Sequence, residues 1–289
     1  LALQSKALTW LSFVDGNLSG SFRSARALGE LGVINAILDF GKGSLATGTG
    51  SPQFSYSEAK TYFSYLPELG RMNITQASIQ SDWGSLLAEG YALLVPDAEN
   101  GKSSGGLVLH LNVENAVLSK TPWWRDPVAV SKATGQMKID YDPLQIDLGK
   151  FLAQINGAKV SLSGKASLEP SGWSFGMQGE AQEVHAQTAM TLWPEALKPK
   201  ARRWFKENVR DGNLKNLTLQ ARQVAGSTAT LASSFQFDKA DIKFMRFMPV
   251  ISDVIGYGTL EDNEFNLTVQ TGYVQAAEGG TIALDGSMM

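Results

Sequence analysis

Residues able to do chemistry are thinly spread in this chain. Ser57 and Lys60 stand at the S-x-x-K spacing that, on a helix, sets a nucleophilic hydroxyl beside a lysine. The S-D-N and K-T-G elements that complete such a site are missing. Gly101–Ser104 reads GKSS, like the end of a phosphate-binding loop, but Pro96 stands where the first glycine of that loop must be. A hairpin turn accounts for it better. The two histidines, His110 and His185, have no neighbour at metal-ligand spacing and read as packed or solvated side chains. Asp140, Asp142 and Asp147 are close in sequence, and the first two share a face of any extended strand, yet acid–base chemistry needs two carboxyls facing one cleft. Solvated strand-edge charges are the simpler reading. With no cysteine there is no disulfide framework, thiolate metal site or thiol nucleophile. The chain is therefore read as a non-enzyme with no cofactor and no metal.

The elements that would hold these residues are overwhelmingly strands. Over 289 residues, 43% apolar content supports a real interior, while 18% charged residues is low against the roughly 25% usual in soluble domains. Lys plus Arg number 25 against 28 Asp plus Glu, and a net charge of −3 gives no electrostatic drive toward nucleic acid. Alternation at period two recurs along the chain and puts one apolar set on a single face of each strand. That set comprises Leu107, Leu109, Leu111 and Val113; Leu144, Ile146 and Leu148; Val160 and Leu162; Leu217 and Leu219; Phe235 and Phe237; Phe265, Leu267 and Val269; Ile282 and Leu284. Between such runs, Asp15-Gly16, Asn100-Gly101, Asn156-Gly157, Asp211-Gly212 and Asp285-Gly286 are the dipeptides that supply positive φ to hairpin turns.

Helices are few. Leu197, Ala201, Trp204, Phe205 and Val209 recur at spacings of three and four and predict an amphipathic helix over about 194–210, with Pro199 kinking or restarting it. Shorter helices are expected from Ser57 in SYSEAKTYFSYL and, with strand as an equal alternative, in IKFMRFMPVISDVI. Trp123 and Trp124, between two prolines, read as a loop or strand edge. NLTLQ at Asn216–Gln220 returns as NLTVQ at Asn266–Gln270, and DGNL at Asp15–Leu18 returns at Asp211–Leu214, so the chain reads as a β-repeat protein.

The segment from Met190 to Ala221, with Trp193-Pro194, Arg203-Trp204, Asn208 and Gly212 ahead of an alternating strand, resembles the repeat-bearing region of the AsmA-like family of bacterial envelope proteins, in its YhdP and TamB branch. The stretch from Gly256, with Gly279-Gly280 before the next strand, is similar to the strand module that follows in that family. The likeness covers the last third of the chain well and the rest in style only. It implies an elongated, curved antiparallel sheet, a taco-like β-groove, in a periplasmic bridge-like lipid-transfer protein anchored in the inner membrane. On that reading residues 1–189 are groove repeats and 190–289 a further module opening with the helix, the whole being part of a larger exported polypeptide. The partner is phospholipid or another acyl lipid, and the eighteen alternating apolar residues line the groove. Two other readings stay open. One is a structural or adhesive β-repeat domain filled by its own side chains. The other is a carbohydrate-active β enzyme using a carboxylate pair beside Trp123, Trp124 or Trp173. For the helix, an apolar stripe that caps or plugs the sheet stands beside a cationic face of Lys198, Lys200, Arg202, Arg203, Lys206 and Arg210 that meets lipid phosphate or an anionic membrane surface.

Overall fold

The computed structural model describes residues 11, 14–27, 30–45, 54–95, 105–119, 126–141, 143–195, 197–244, 247–261, 264–276, 278–284 and 287–288. Trp123, Trp124, the Gly101–Ser104 turn, Asp142 and Asp285-Gly286 lie outside them. The chain opens with β1 (Val14–Ala27), β2 (Glu30–Leu45), β3 (Phe54–Tyr56), β4 (Glu58–Leu66), β5 (Arg71–Ser81) and β6 (Gly84–Val95). It continues with β7 (Gly106–Leu118), β8 (Val128–Tyr141), β9 (Leu144–Ile155), β10 (Ala158–Glu169) and β11 (Gly172–His185). Helices α1 (Ala186–Leu192) and α2 (Pro199–Asn208) interrupt the strands here. Then follow β12 (Val209–Gln223), β13 (Thr230–Ile242), β14 (Ile251–Glu261), β15 (Glu264–Ala276), β16 (Gly280–Ala283) and β17 (Ser287–Met288).

All seventeen strands belong to one antiparallel sheet in which neighbours in sequence are neighbours in space. β3 and β4 both pair with β2, and β16 and β17 both pair with β15, so each couple acts as one interrupted strand. At about 4.8 Å per strand the sheet runs roughly 70 Å across. It does not close into a barrel. The ladder passes through the helical insertion unbroken, because β11 and β12 pair directly from Phe175↔Gln223 to His185↔Asn213.

The two faces differ in chemistry. The residues buried on this sheet are apolar or aromatic, from Leu38 and Phe63 near one edge to Val254 and Val269 near the other; among the described residues no charged side chain is buried, and Tyr56 carries a buried hydroxyl. A single sheet can remove one face from water without a second sheet only by curving around it. The opposite face carries the ion pairs, with Lys60 on Asp39, Lys165 on Asp147 and Lys215 on Asp238. Asp39↔Lys60 and Asp147↔Lys165 are directly opposed across their ladders. Such exposed cross-strand pairs contribute little each, and they keep the outer face soluble.

Bulges maintain the division where simple alternation would lose it. Leu214 and Leu217 are an odd number of residues apart, yet both reach the apolar face, because Asn216 adopts φ 51 and the register against β13 slips between Lys215 and Thr218. In β9 the slip comes between Leu148 and Leu152, so that Leu148 and Phe151 share the face. The two DGNL motifs, expected as hairpin turns, lie inside β1 and β12. In each the partner strand carries an extra residue, between Phe40 and Gly43 and between Asp238 and Asp241. The positive φ of Gly212 therefore serves a bulge, and a Cβ there would meet the Ala240 backbone at 2.8 Å. Asn156-Gly157 is the expected hairpin, with φ 47 and 85 joining β9 to β10.

The helix expected from Ser57 is strand β4. Its apolar residues alternate as well as they step at helical spacing, and pairing with β2 and β5 decides the matter. The helix expected over about 194–210 begins later, at Pro199, after Lys198 turns left-handed at φ 48. IKFMRFMPVISDVI contributes the end of β13 and the start of β14.

Candidate functional site

All eighteen alternating apolar residues lie on the same face. Directly opposed residues of an antiparallel pair share a side, and the registers link Val113, Ala133, Ala153, Val160, Ala181 and Leu217 into one lane across β7 to β12. Parallel to it run Leu109, Met137 and Leu148, then Leu107, Ile139 and Ile146 with Leu144 beyond, while Leu111 opposes Gly135. Leu162, Gly179 and Leu219 make a further row. Toward β15, Phe235 and Leu267 face each other across Gly258, and Phe237 and Val269 across Gly256. Phe265 opposes Leu260, Ile282 opposes Val274, and Leu284 packs onto the same cluster.

Glycines in this face make room for rings. A Cβ at Gly258 would meet the Phe235 ring at 2.5 Å and one at Gly256 the Phe237 ring at 2.6 Å. Gly135 receives Phe151 in the same manner. Each phenyl group lies along the floor of the curve instead of standing into it, the device that covers an otherwise bare glycine.

What covers the face changes along the sheet. Over β7 to β10, Leu109, Leu111, Leu144, Ile146, Leu148, Val160 and Leu162 remain partly exposed. Over β12 to β15, Phe235, Phe237, Leu267 and Val269 are buried, because α1 and α2 pack into the curve there. Ala186 of α1 and Phe205 of α2 are both buried in that cluster. Trp204 lies 5.3 Å from the Phe265 ring and Trp193 6.1 Å from Phe205. Leu219 and Ile282 are the two members of the set that stay exposed.

Arg202 joins the two helices. Its Nε donates to the Trp193 carbonyl at 3.0 Å and a terminal nitrogen to that of Met190 at 3.5 Å, closing the carbonyl end of α1 onto α2. The Trp193 indole donates to the Leu197 carbonyl at 2.7 Å. Arg202 is thus turned inward, whereas Lys200, Arg203, Lys206 and Arg210 are exposed as the cationic face requires. α1 itself was invisible to periodicity over 194–210. Its signal lies just upstream, in His185, whose Nδ1 accepts from the Gln187 amide at 3.4 Å, and in the alanine-rich turn that follows.

Two hollows differ in kind. Beneath the helices a cavity of about 150 Å³ is walled by Val160, Leu197, Leu217, Leu231, Leu260 and Phe265, among other apolar groups. Leu231 continues the alternation of Phe235 by four residues, through Ser233, and Leu260 that of Gly256-Gly258 by two, so neither adjoins an apolar position of its run. A broad trough of about 1350 Å³ over β6 to β12 has a mixed lining, with Val113, Ala153 and Val160 of the lane beside charged side chains such as Lys132, Lys159 and Glu180.

The residues with catalytic patterns are engaged elsewhere. Ser57 donates to the Gln80 carbonyl at 3.1 Å, while Lys60 is bound to Asp39 at 3.0 Å; that carboxylate holds the ammonium above its ordinary pKa. Asp140 accepts from Lys138 at 2.9 Å and Asp147 from Lys165 at 2.7 Å. His110 stacks on Tyr91 with centroids 4.3 Å apart, and His185 sits 2.9 Å from Asp211. Trp173 pairs with Leu168 on the apolar face. Among the described residues no three potential ligands converge on a metal site, and no helix is long and apolar enough to cross a membrane. Comparison with protein-family models, with curated proteins and with solved structures gives no match.

Proposed function

We propose that this chain is a segment of a bridge-like lipid-transfer protein, one that shields phospholipid acyl chains along a hydrophobic groove between the inner and outer membranes of a bacterial envelope. The observation that carries the reading is the apolar face over β7 to β10, where Leu109, Leu111, Ile146, Leu148 and Leu162 of consecutive strands stay partly exposed above a buried floor of Val113, Ala133 and Ala153, and no helix among the described residues covers them. A lane of this length is costly to leave in water, and each acyl methylene laid along it contributes about 0.8 kcal/mol. No charged residue is paired into the apolar rows themselves, and the charged groups nearby, among them Lys132, Lys159 and Glu180, are suited to a headgroup in solvent. The resemblance of the Met190–Ala221 and Gly256 regions to the AsmA-like family supports the same reading, and a periplasmic location with an inner-membrane anchor elsewhere in a larger polypeptide is part of the proposal.

The direct test is mass spectrometry of an organic extract of the purified protein beside a control protein from the same cells. Stoichiometric phospholipid enriched over the control is the expected result. Lipid-free protein, folded and never exposed to stripping detergent, would favour the self-filled structural domain instead. That second reading draws on a particular observation, the helix pair that already fills the curve over β12 to β15.

A further inference from the structure

We propose that the α1–α2 hairpin roofs a partly open apolar slot that takes the end of one unbranched hydrocarbon chain, making this stretch of the groove a terminus for an acyl tail and not a free passage. The slot is the 150 Å³ cavity between the hairpin and β10 to β15. Its one hydroxyl, that of Ser233, is already spent on the Thr218 carbonyl at 2.8 Å, and the backbone around it is engaged in the ladder. Nothing in the wall offers a hydrogen bond, so headgroups, sugars and peptides find no partner there, and a hollow of this size with aliphatic and aromatic walls stays dry.

Two features specify a chain end. The slot is continuous with the open lane through Val160 and Leu217, which belong both to its wall and to the row running back to Val113. Val113, Ala133 and Ala153 are themselves buried, so the accessible approach is over the partly exposed Val160 and Leu162, whose rows run through Ala181 and Gly179 to Leu217 and Leu219 in the slot wall. At the far side Leu231, Leu260 and Phe265 close it, with Trp204 packed on Phe265 behind. The roof is held by specific contacts, the Arg202 bonds to Trp193 and Met190 and the Trp193–Leu197 bond, so release of the tail past this point requires the hairpin to lift.

The slot deepens the lipid-transfer reading and draws its ligand class from it, but its existence is testable separately. Trp193 lines the slot, Trp204 lies outside it and Trp173 stands on the open apolar face, so among the chain's seven tryptophans each position is read as the quenching lost in its own Phe variant, with Trp173→Phe as the control for lipid on the open face. Protein is loaded with a phospholipid brominated near the end of its acyl chain, and in parallel with bromodecane. Bromine quenches indole only near contact. Both probes are expected to quench the emission; most of the quenching is lost in Trp193→Phe and kept in Trp204→Phe. Ala189→Phe, which fills the slot from α1, is expected to abolish it while phospholipid measured by mass stays bound on the open lane. Phospholipid present by mass with quenching equal in wild type and Trp193→Phe would overturn the slot and leave the transfer reading intact. Bromodecane quenching Trp193 in a protein that carries no phospholipid would keep the slot and sink the transfer reading. Absence of quenching by either probe overturns the slot.

Discussion

The stretch from β7 to β10 and the stretch from β12 to β15 share one design and end in different states. Both put large apolar side chains on one face by alternation, corrected by bulges, and both pair them in lanes across consecutive strands. In the first, Leu109, Leu111, Ile146, Leu148 and Leu162 stay partly exposed; in the second, Phe235, Phe237, Leu267 and Val269 are buried under two helices. The pattern of a strand therefore specifies that its face must leave water, and something outside the strand specifies what covers it. Over β12 to β15 that cover is encoded in the chain.

The sharpest way to break the comparison is to remove a ring from the covered half. Phe237→Ala opens a void facing Gly256 and is expected to cost about 4 kcal/mol in urea unfolding, in the range of buried aromatic truncations. The matched change on the open side, Leu109→Ala, is expected to cost about 1 kcal/mol, because the side chain is only partly removed from water. Equal losses at both sites would mean that the open lane is covered in solution. Arg202→Ala removes two charge-assisted bonds from the roof and is expected to cost about 2 kcal/mol locally. Its readout is faster amide exchange confined to 186–208, and unchanged exchange there would show the roof to be held by packing alone. Leu111→Glu is expected to change stability by about 1 kcal/mol or less while lowering lipid occupancy severalfold, as its position is partly open. Retained occupancy would count against the open lane as the binding surface.

The smallest effect concerns the outer face. The Lys215 ammonium, hydrogen-bonded to Asp238, holds that carboxyl below the ordinary aspartate range, and Asp238 holds Lys215 above the usual lysine value. A lowered carboxyl pKa contributes stability that is present above the unfolded aspartate value and lost as pH falls through the folded one. For the lysine the stabilisation is present below its unfolded value and lost as pH rises through the raised one. Asp238→Asn is expected to remove the acid-side part with a barely measurable shift of the urea midpoint, since both groups are partly exposed.

How far the sequence could be read depended on which physics decided each element. Alternation fixed the apolar face of β7, β9, β12 and β15, because period two is a property of the strand itself. It failed at Ser57, where SEAKTYFSYL satisfies both periods and pairing with β2 and β5 settles the outcome. It misplaced the DGNL glycines, since positive φ serves a bulge as well as a turn and only the partner strand distinguishes them. In the site, residues on runs of two to four consecutive alternating apolar positions were legible, whereas Leu231 and Leu260, set apart from such runs by Ser233 and by glycines, and the α1 alanines were not. Their role follows from a helix whose own start is signalled only by a histidine cap.

The strictly sequential ladder also bears on how the molecule comes into being. Almost every strand meets its partner across a short loop, so each hairpin can zip onto the last as the chain lengthens, and an error stays confined to its neighbours. β11 and β12 are the exception, for α1 and α2 must be set aside before Phe175 can find Gln223. That junction spans the longest connection between paired strands, from His185 to Val209, and so carries the largest loop-closure cost in the ladder. The helices that impose it are the same ones that cover the finished curve.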